Sequence, residues 1–252
     1  MRDQMPYIKI LDIRFDLVGF NQAIGIVCDW LKRDDFKKYI VTPNPEFVIA
    51  AGKDDEFKQI LSKADLSLTD GRGIQFAARF LRLSIPERIP GTDFMIRLCG
   101  RLAELQIPIF LLGGDPSVAE KCAKKLISKY PSIKIAGIFS GDANEAGDSE
   151  AIGMINNTNA RFVFVAFGAP KQEKWIARNF HKLKKVNVAM GVGGAFDYIS
   201  GNVNRAPFIF RRIGLEWLWR LIFQPKRFVR IFRAVIIFPL IIIRSKISLS
   251  KH

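Results

Sequence analysis

Residues Ile109–Lys129 read IFLLGGDPSVAEKCAKKLISK. Four apolar residues run into a Gly-Gly-Asp-Pro turn, and a helical stretch, Ser117–Lys129, follows. A strand that is short and apolar throughout belongs in a sheet covered on both faces, because a strand with one wet face alternates. The same unit recurs downstream. Ile133–Ile138 reads as strand, Gly141–Asp148 as loop and Ala151–Asn157 as helix. Phe162–Phe167 is strand, Pro170–Lys182 helix, and Asn187–Val192 a strand entering Gly193-Gly194. Strands alternating with helices predict an α/β domain built on a parallel sheet.

Upstream the pattern is less regular. Ile8–Val18 suggests a strand or hairpin, and about Asn21–Leu31 a helix. Lys38–Thr42 is a strand stopped by Pro43-Asn44-Pro45, since proline disfavours helix in the residue before it. Glu46–Ala64 reads as helix with a break near Gly52. Leu66–Thr69 is a strand entering Asp70-Gly71, followed by an amphipathic helix at Ile74–Leu83. Another helix follows Pro90-Gly91, capped by Thr92 or Asp93. The rhythm stops near Asn204–Pro207, which divides residues 1–204 from a tail, residues 205–252.

Charge marks the same division. The chain has 252 residues and a net charge of +15, yet residues 205–252 hold eleven Lys and Arg against one acid, Glu216. The body is only mildly basic. Its apolar content of 49% excludes a disordered basic protein. Two histidines, His181 and His252, exclude a multi-histidine metal site. Cys28, Cys99 and Cys122 form no CxxC pair and read as buried thiols of a reducing compartment. The N-terminus lacks the apolar core of a signal peptide. Ala234–Ile243 is far shorter than the roughly 20 residues of a membrane-spanning helix.

Ligands of open parallel sheets bind beyond the carboxyl ends of the strands. There lie Thr42 and Asn44, Asp70, Gly113-Gly114, Gly168 with Gln172, and Gly193, Gly194 and Asp197. Glycine-rich turns let backbone N–H groups approach a phosphate, or simply allow tight turns. Asp70 can accept a proton from a substrate hydroxyl, or satisfy turn amides. Thr42 and Asn44 either contact a ligand or close the proline turn. Gln172 either meets a substrate hydroxyl or lies on the surface. No Asp-x-Asp pair offers metal ligands for a diphosphate, so no metal or other cofactor is expected. Arginines bind oxyanions bidentately in its place. Arg220, Arg227 and Arg230 share one face of the tail if its helix is continuous across Pro225.

The tail interleaves Phe208, Phe210, Trp217, Trp219, Phe223, Phe228, Phe232 and Phe238 with these arginines. That composition suits an anionic membrane surface. Rival readings are a nucleic-acid groove, a subunit interface or a core helix. The Ile-rich run disfavours nucleic acid, where polar and basic groups dominate.

Thr42-Pro43-Asn44-Pro45-Glu46, Thr69-Asp70-Gly71-Arg72-Gly73 and Glu87–Asp93 (ERIPGTD) open a further pattern. Phe167–Glu173 (FGAPKQE), Gly191–Asp197 (GVGGAFD), Arg205-Ala206-Pro207 and Gly214–Arg230 (GLEWLWRLIFQPKRFVR) complete it. In this order, over about residues 8–233, they resemble the WecG/TagA/CpsF glycosyltransferases. The resemblance implies a Rossmann-like fold with a helical cationic-aromatic appendage. It implies an inverting, metal-independent enzyme that needs no cofactor and uses a UDP-sugar donor and a polyprenyl-diphosphate-linked acceptor. The leading expectation is transfer of N-acetylmannosamine to lipid-linked N-acetylglucosamine in wall teichoic acid assembly. Exopolysaccharide, capsule or enterobacterial common antigen synthesis are the related alternatives. A non-catalytic membrane- or nucleic-acid-binding protein is the reading from another class, with a nicotinamide-dependent enzyme behind it. By the resemblance Asp70 is the base, and Thr42, Asn44 and Gln172 orient the sugars. Arg88 is a pocket arginine, and Arg220, Arg227 and Arg230 close on the diphosphate. Gly168, Gly193, Gly194 and Asp197 serve the nucleotide. The expected place is the cytoplasmic face of the bacterial plasma membrane, with homo-oligomers possible in solution.

Overall fold

In the computed structural model, residues 5–33, 36–207, 210, 216–223 and 228–249 are described. Six parallel strands form the main sheet in the order β4-β3-β8-β7-β5-β6. They are β3 (Lys38–Val41), β4 (Leu66–Ser67), β5 (Ile109–Gly113), β6 (Ile135–Phe139), β7 (Phe162–Ala166) and β8 (Val188–Gly191). The apolar strands are buried on both faces, and the pleat sends alternate residues to opposite sides. Phe162, Phe164, Val188 and Met190 join a core with α1 (Phe20–Leu31), α5 (Gly91–Glu104), α6 (Pro116–Lys129) and α9 (Ala195–Ser200). Val163, Val165 and Ala189 face the other way, onto α7 (Glu145–Asn156) and α8 (Lys171–Asn179).

Tyr7–Ile10 (β1) and Ile13–Asp16 (β2) form a separate antiparallel hairpin. Its two-residue turn, Leu11-Asp12, has both φ angles positive, as the twist of a tight hairpin requires. The hairpin shields the β4 edge with side chains. The Ser67 N–H donates to Asp16 at 2.8 Å, and the Ser67 hydroxyl donates to the Arg14 carbonyl. An edge strand covered in this way is closed to pairing with another chain.

The expected break near Gly52 separates α2 (Pro45–Ala51) from α3 (Asp55–Lys63), which Asp54 caps through the Phe57 N–H. Helix α7 begins at Glu145, inside the segment read as loop. Asn144 caps it by accepting the Gly147 N–H, so a Gly/Asp/Asn-rich stretch here starts a helix. Helix α5 begins at Gly91 after Pro90, with no side-chain cap, and Asp93 pairs with Arg205 instead. Cys28, Cys99 and Cys122 are free and buried, and burial pushes the Cys122 thiol up to about 12.

The tail folds back on the body. Its elements are α10 (Glu216–Phe223), α11 (Phe228–Phe232), a π-helical turn Arg233–Ile237 and α12 (Phe238–Leu249). Phe238 and Ile242 are buried with Val41, Phe47, Ile74 and Ala77. Lys246 donates to the Phe80 carbonyl at the end of α4 (Arg72–Phe80). Among the described residues, no helix is long and apolar enough to cross a membrane.

Candidate active site

The order β4-β3-β8-β7 sets four carboxyl ends side by side, and the turns beyond them carry Asp70, Thr42 with Asn44, Gly193-Gly194 and Gly168. The first two turns are tied together. The Asp70 N–H donates to the Pro43 carbonyl at 3.1 Å, and the Asp70 carboxylate accepts the Gly91 N–H at 3.3 Å. Gly71 has φ +89°, and a Cβ at Gly73 would meet Pro45 at 2.5 Å, so this turn requires both glycines. Asn44 accepts the Glu46 and Phe47 N–H groups and thereby caps α2. Thr42 is buried beneath the start of α5, close against Gly91.

A cavity of about 200 Å³ opens above these turns. Asn44, Asp70 and Arg88 line it, together with Tyr198, Arg205 and Trp217. The last three were not singled out as site residues. Arg205 lay within a matched motif, and Trp217 within the tail. Arg205 is fixed by two hydrogen bonds to Asp93, at 2.5 and 2.7 Å. Ile231, Ala234 and Val235 complete the wall, so the tail forms one side of the cavity.

Of the three tail arginines expected at the site, only Arg230 has a described side chain. Arg230 pairs with Glu46 at 2.7 Å and lines a neighbouring hollow with Ala169, Pro170 and Arg233. Arg220 lies in α10, but its side chain is outside the described residues, as is the whole of Arg227.

Beyond β7 and β8 the structure corrects the surface reading of Gln172. It is buried, and its Oε1 accepts the N–H groups of Gly168 at 3.1 Å and Gly193 at 2.8 Å. Gln172 therefore staples two turns together, and those two N–H groups are not available to a phosphate. The glycines serve conformation here, with φ +76° at Gly168 and +51° at Gly193. Gly194 precedes α9, and Asp197 occupies its first turn, where a carboxylate meets the positive end of the helix. Asp197 adds to the effect of burial in raising the pKa of the Cys122 thiol on α6 and does not line the Asp70 cavity.

Glu173 stands behind Gln172. Its Oε1 accepts the Gln172 Nε2–H at 2.7 Å, while its buried Oε2 has no hydrogen-bond partner. Burial pushes this carboxyl up to about 7. A Cβ at Gly191 would meet both the Gln172 amide and the Glu173 carboxyl at 2.6 Å, so the pair fits only against glycine. Glu173 closes the FGAPKQE run, but nothing in the isolated sequence marks it as a buried carboxyl rather than an exposed first-turn acid. Among the described residues, no group of three or more His, Cys, Asp or Glu is placed to hold a metal ion.

The sequence profile of the glycosyl transferase WecG/TagA/CpsF family matches residues 8–252. The chain is similar to three proteins named N-acetylglucosaminyldiphosphoundecaprenol N-acetyl-beta-D-mannosaminyltransferase. With that of Bacillus subtilis it shares 39% identity over 191 residues, covering 76% of this chain and 73% of the relative. With that of Bacillus spizizenii it shares 34% over 192 residues, 76% and 74% of the two chains. With that of Staphylococcus aureus it shares 29% over 252 residues, 99% and 97% of the two.

Proposed function

The chain belongs to the WecG/TagA/CpsF family of glycosyl transferases, and from that premise we propose that it transfers N-acetylmannosamine from a UDP-sugar to N-acetylglucosamine carried on a polyprenyl diphosphate, inverting the anomeric carbon. The observation that carries the reading is Asp70, a half-buried carboxylate at the carboxyl end of a parallel strand, in a cavity it shares with Asn44 and Arg88.

Inversion needs one displacement. The acceptor hydroxyl attacks the anomeric carbon, its proton passes to Asp70, and the bond to the diphosphate oxygen breaks with its electron pair leaving on UDP. The Gly91 N–H orients the Asp70 carboxylate, and Thr42 supports Gly91 from below. Asn44 and Arg88 position sugar and diphosphate. Arg220, Arg227 and Arg230 add positive charge as UDP departs, in the role a metal would otherwise fill. Arg230 would exchange Glu46 for the diphosphate. That pair is half-exposed, so breaking it costs at most about 1 kcal/mol. Gln172 is assigned to holding the Gly168 and Gly193 turns, and the Gly193-Gly194 turn with Asp197 to the nucleotide side.

The acceptor is a lipid, and the tail supplies a surface for it. Val229, Phe232, Ile236, Leu240 and Ile247 are exposed at mostly three- and four-residue intervals, with Arg233 and Arg244 beside them. An apolar stripe flanked by cations favours the anionic leaflet of a bacterial plasma membrane, on its cytoplasmic side.

Replacing Asp70 with Asn tests the mechanism. Release of UDP in the presence of the lipid-linked acceptor should fall by about 10²–10⁴-fold, while the UDP-sugar still binds. Turnover at the parent rate in that variant removes Asp70 from proton transfer.

A further inference from the structure

A second hollow, of about 700 Å³, runs beside α4. Arg72, Phe76 and Arg79 stand four and three residues apart and share one face of this helix. Arg82, Leu83 and Ile85 line it as well, with Gln75, Ala78 and Ser84, and among the described residues no acidic side chain lines it. Arg72 also lines the Asp70 cavity, so the two hollows share this residue. Arg79 and Arg82 are exposed, and among the described residues no carboxylate pairs with either. Phe76 is 48% exposed and stacks on Phe80 at 6.2 Å, giving the groove an apolar wall between its cations.

Arg82 ends α4 with φ +60°, where the Arg82 N–H donates to the Arg79 carbonyl and the Leu83 N–H to the Ala78 carbonyl at 2.8 Å. Gln106 ends α5 by the same hydrogen-bond pattern at φ +57°. At Arg82 this helix stop places the residue in the groove wall.

We propose that the α4 groove binds the diphosphate of the lipid-linked acceptor, with the first isoprenoid units against Phe76, Leu83 and Ile85 and the sugar reaching past Arg72 to Asp70. The assignment rests on the acceptor chemistry proposed above. Guanidinium groups match the fixed geometry of a diphosphate, and the apolar wall suits a prenyl chain.

The test uses the full chain and an Arg79→Ala/Arg82→Ala variant, with Arg79→Lys/Arg82→Lys as the charge-keeping control. Three kinds of vesicle are compared. They are phosphatidylcholine alone, phosphatidylcholine with undecaprenyl-diphosphate-GlcNAc, and phosphatidylcholine with phosphatidylglycerol. The alanine variant should raise the acceptor KM by about tenfold or more, keep the donor KM within about twofold, and recover in part with lysine. Its binding to acceptor-bearing vesicles should fall in parallel, while binding to phosphatidylglycerol vesicles changes little. An unchanged acceptor KM, or an equal loss on phosphatidylglycerol, overturns the groove. If the parent chain transfers no sugar, the enzymatic reading fails separately, and the vesicle comparison still decides whether the groove holds a prenyl diphosphate.

Discussion

Burial holds the Glu173 carboxyl near 7, well above its ordinary value of 4.5. The raised value means that the folded chain keeps a proton that the unfolded chain has released. Between those two values the unfolded state binds fewer protons, so this group makes stability fall as pH rises from about 4.5 to about 7. The loss is on the order of 3 kcal/mol. Glu173→Gln keeps an oxygen for the Gln172 amide and removes the titration. Urea unfolding at pH 5 and pH 7.5 should show a steeper loss in the parent than in the variant. Equal slopes would show that Glu173 is ionised in the fold. Asp70 was legible as a candidate because an apolar strand runs straight into it. Gln172 was legible as a candidate too, but its stapling of two turns and the burial of Glu173 were not, because their partners sit at Gly168, Gly191 and Gly193, on turns that meet only once β7 and β8 pair.

At the scale of elements, the tail is where sequence reading reached least far. Its aromatic and cationic composition pointed to a surface, yet Phe238 and Ile242 point inward, onto α2 and α4. The Ile-rich run Ala234–Ile243 contains both faces, and only the packing partners decide which residues go in. Phe238→Ala should therefore destabilise the body by about 3–5 kcal/mol, as other buried Phe truncations do, with α4 losing its cover. Thermal unfolding measures this. A change under about 1 kcal/mol would mean that α12 packs only loosely on the body. The start of α7 was missed for a similar reason. Gly, Asp and Asn favour turns, but Asn144 puts its side chain on the Gly147 N–H and turns the same composition into a helix cap.

For the whole molecule, the parallel sheet was readable from Ile109–Gly191, because uniformly apolar strands separated by helices admit few alternatives. The strand order was not, since pairing between β3 and β8 joins residues 150 positions apart. Placement of the tail on the body leaves Phe232, Ile236 and Leu240 exposed, with Arg233 exposed beside them. Changing the exposed Phe232, Ile236 and Leu240 to Glu together should abolish flotation on phosphatidylglycerol vesicles while leaving the fold intact, since none of the three is buried. Undiminished flotation would assign membrane contact elsewhere. The position of β8 has a further consequence for how the protein is made. The last strand to leave the ribosome is inserted between β3 and β7, so the nascent chain carries two half-sheets with unpaired inner edges until Val188–Gly191 emerges. The β3 edge stays open from Val41 until Val188 emerges and the β7 edge only from Ala166, and chaperones that shield strands from neighbouring nascent chains would matter most in that interval.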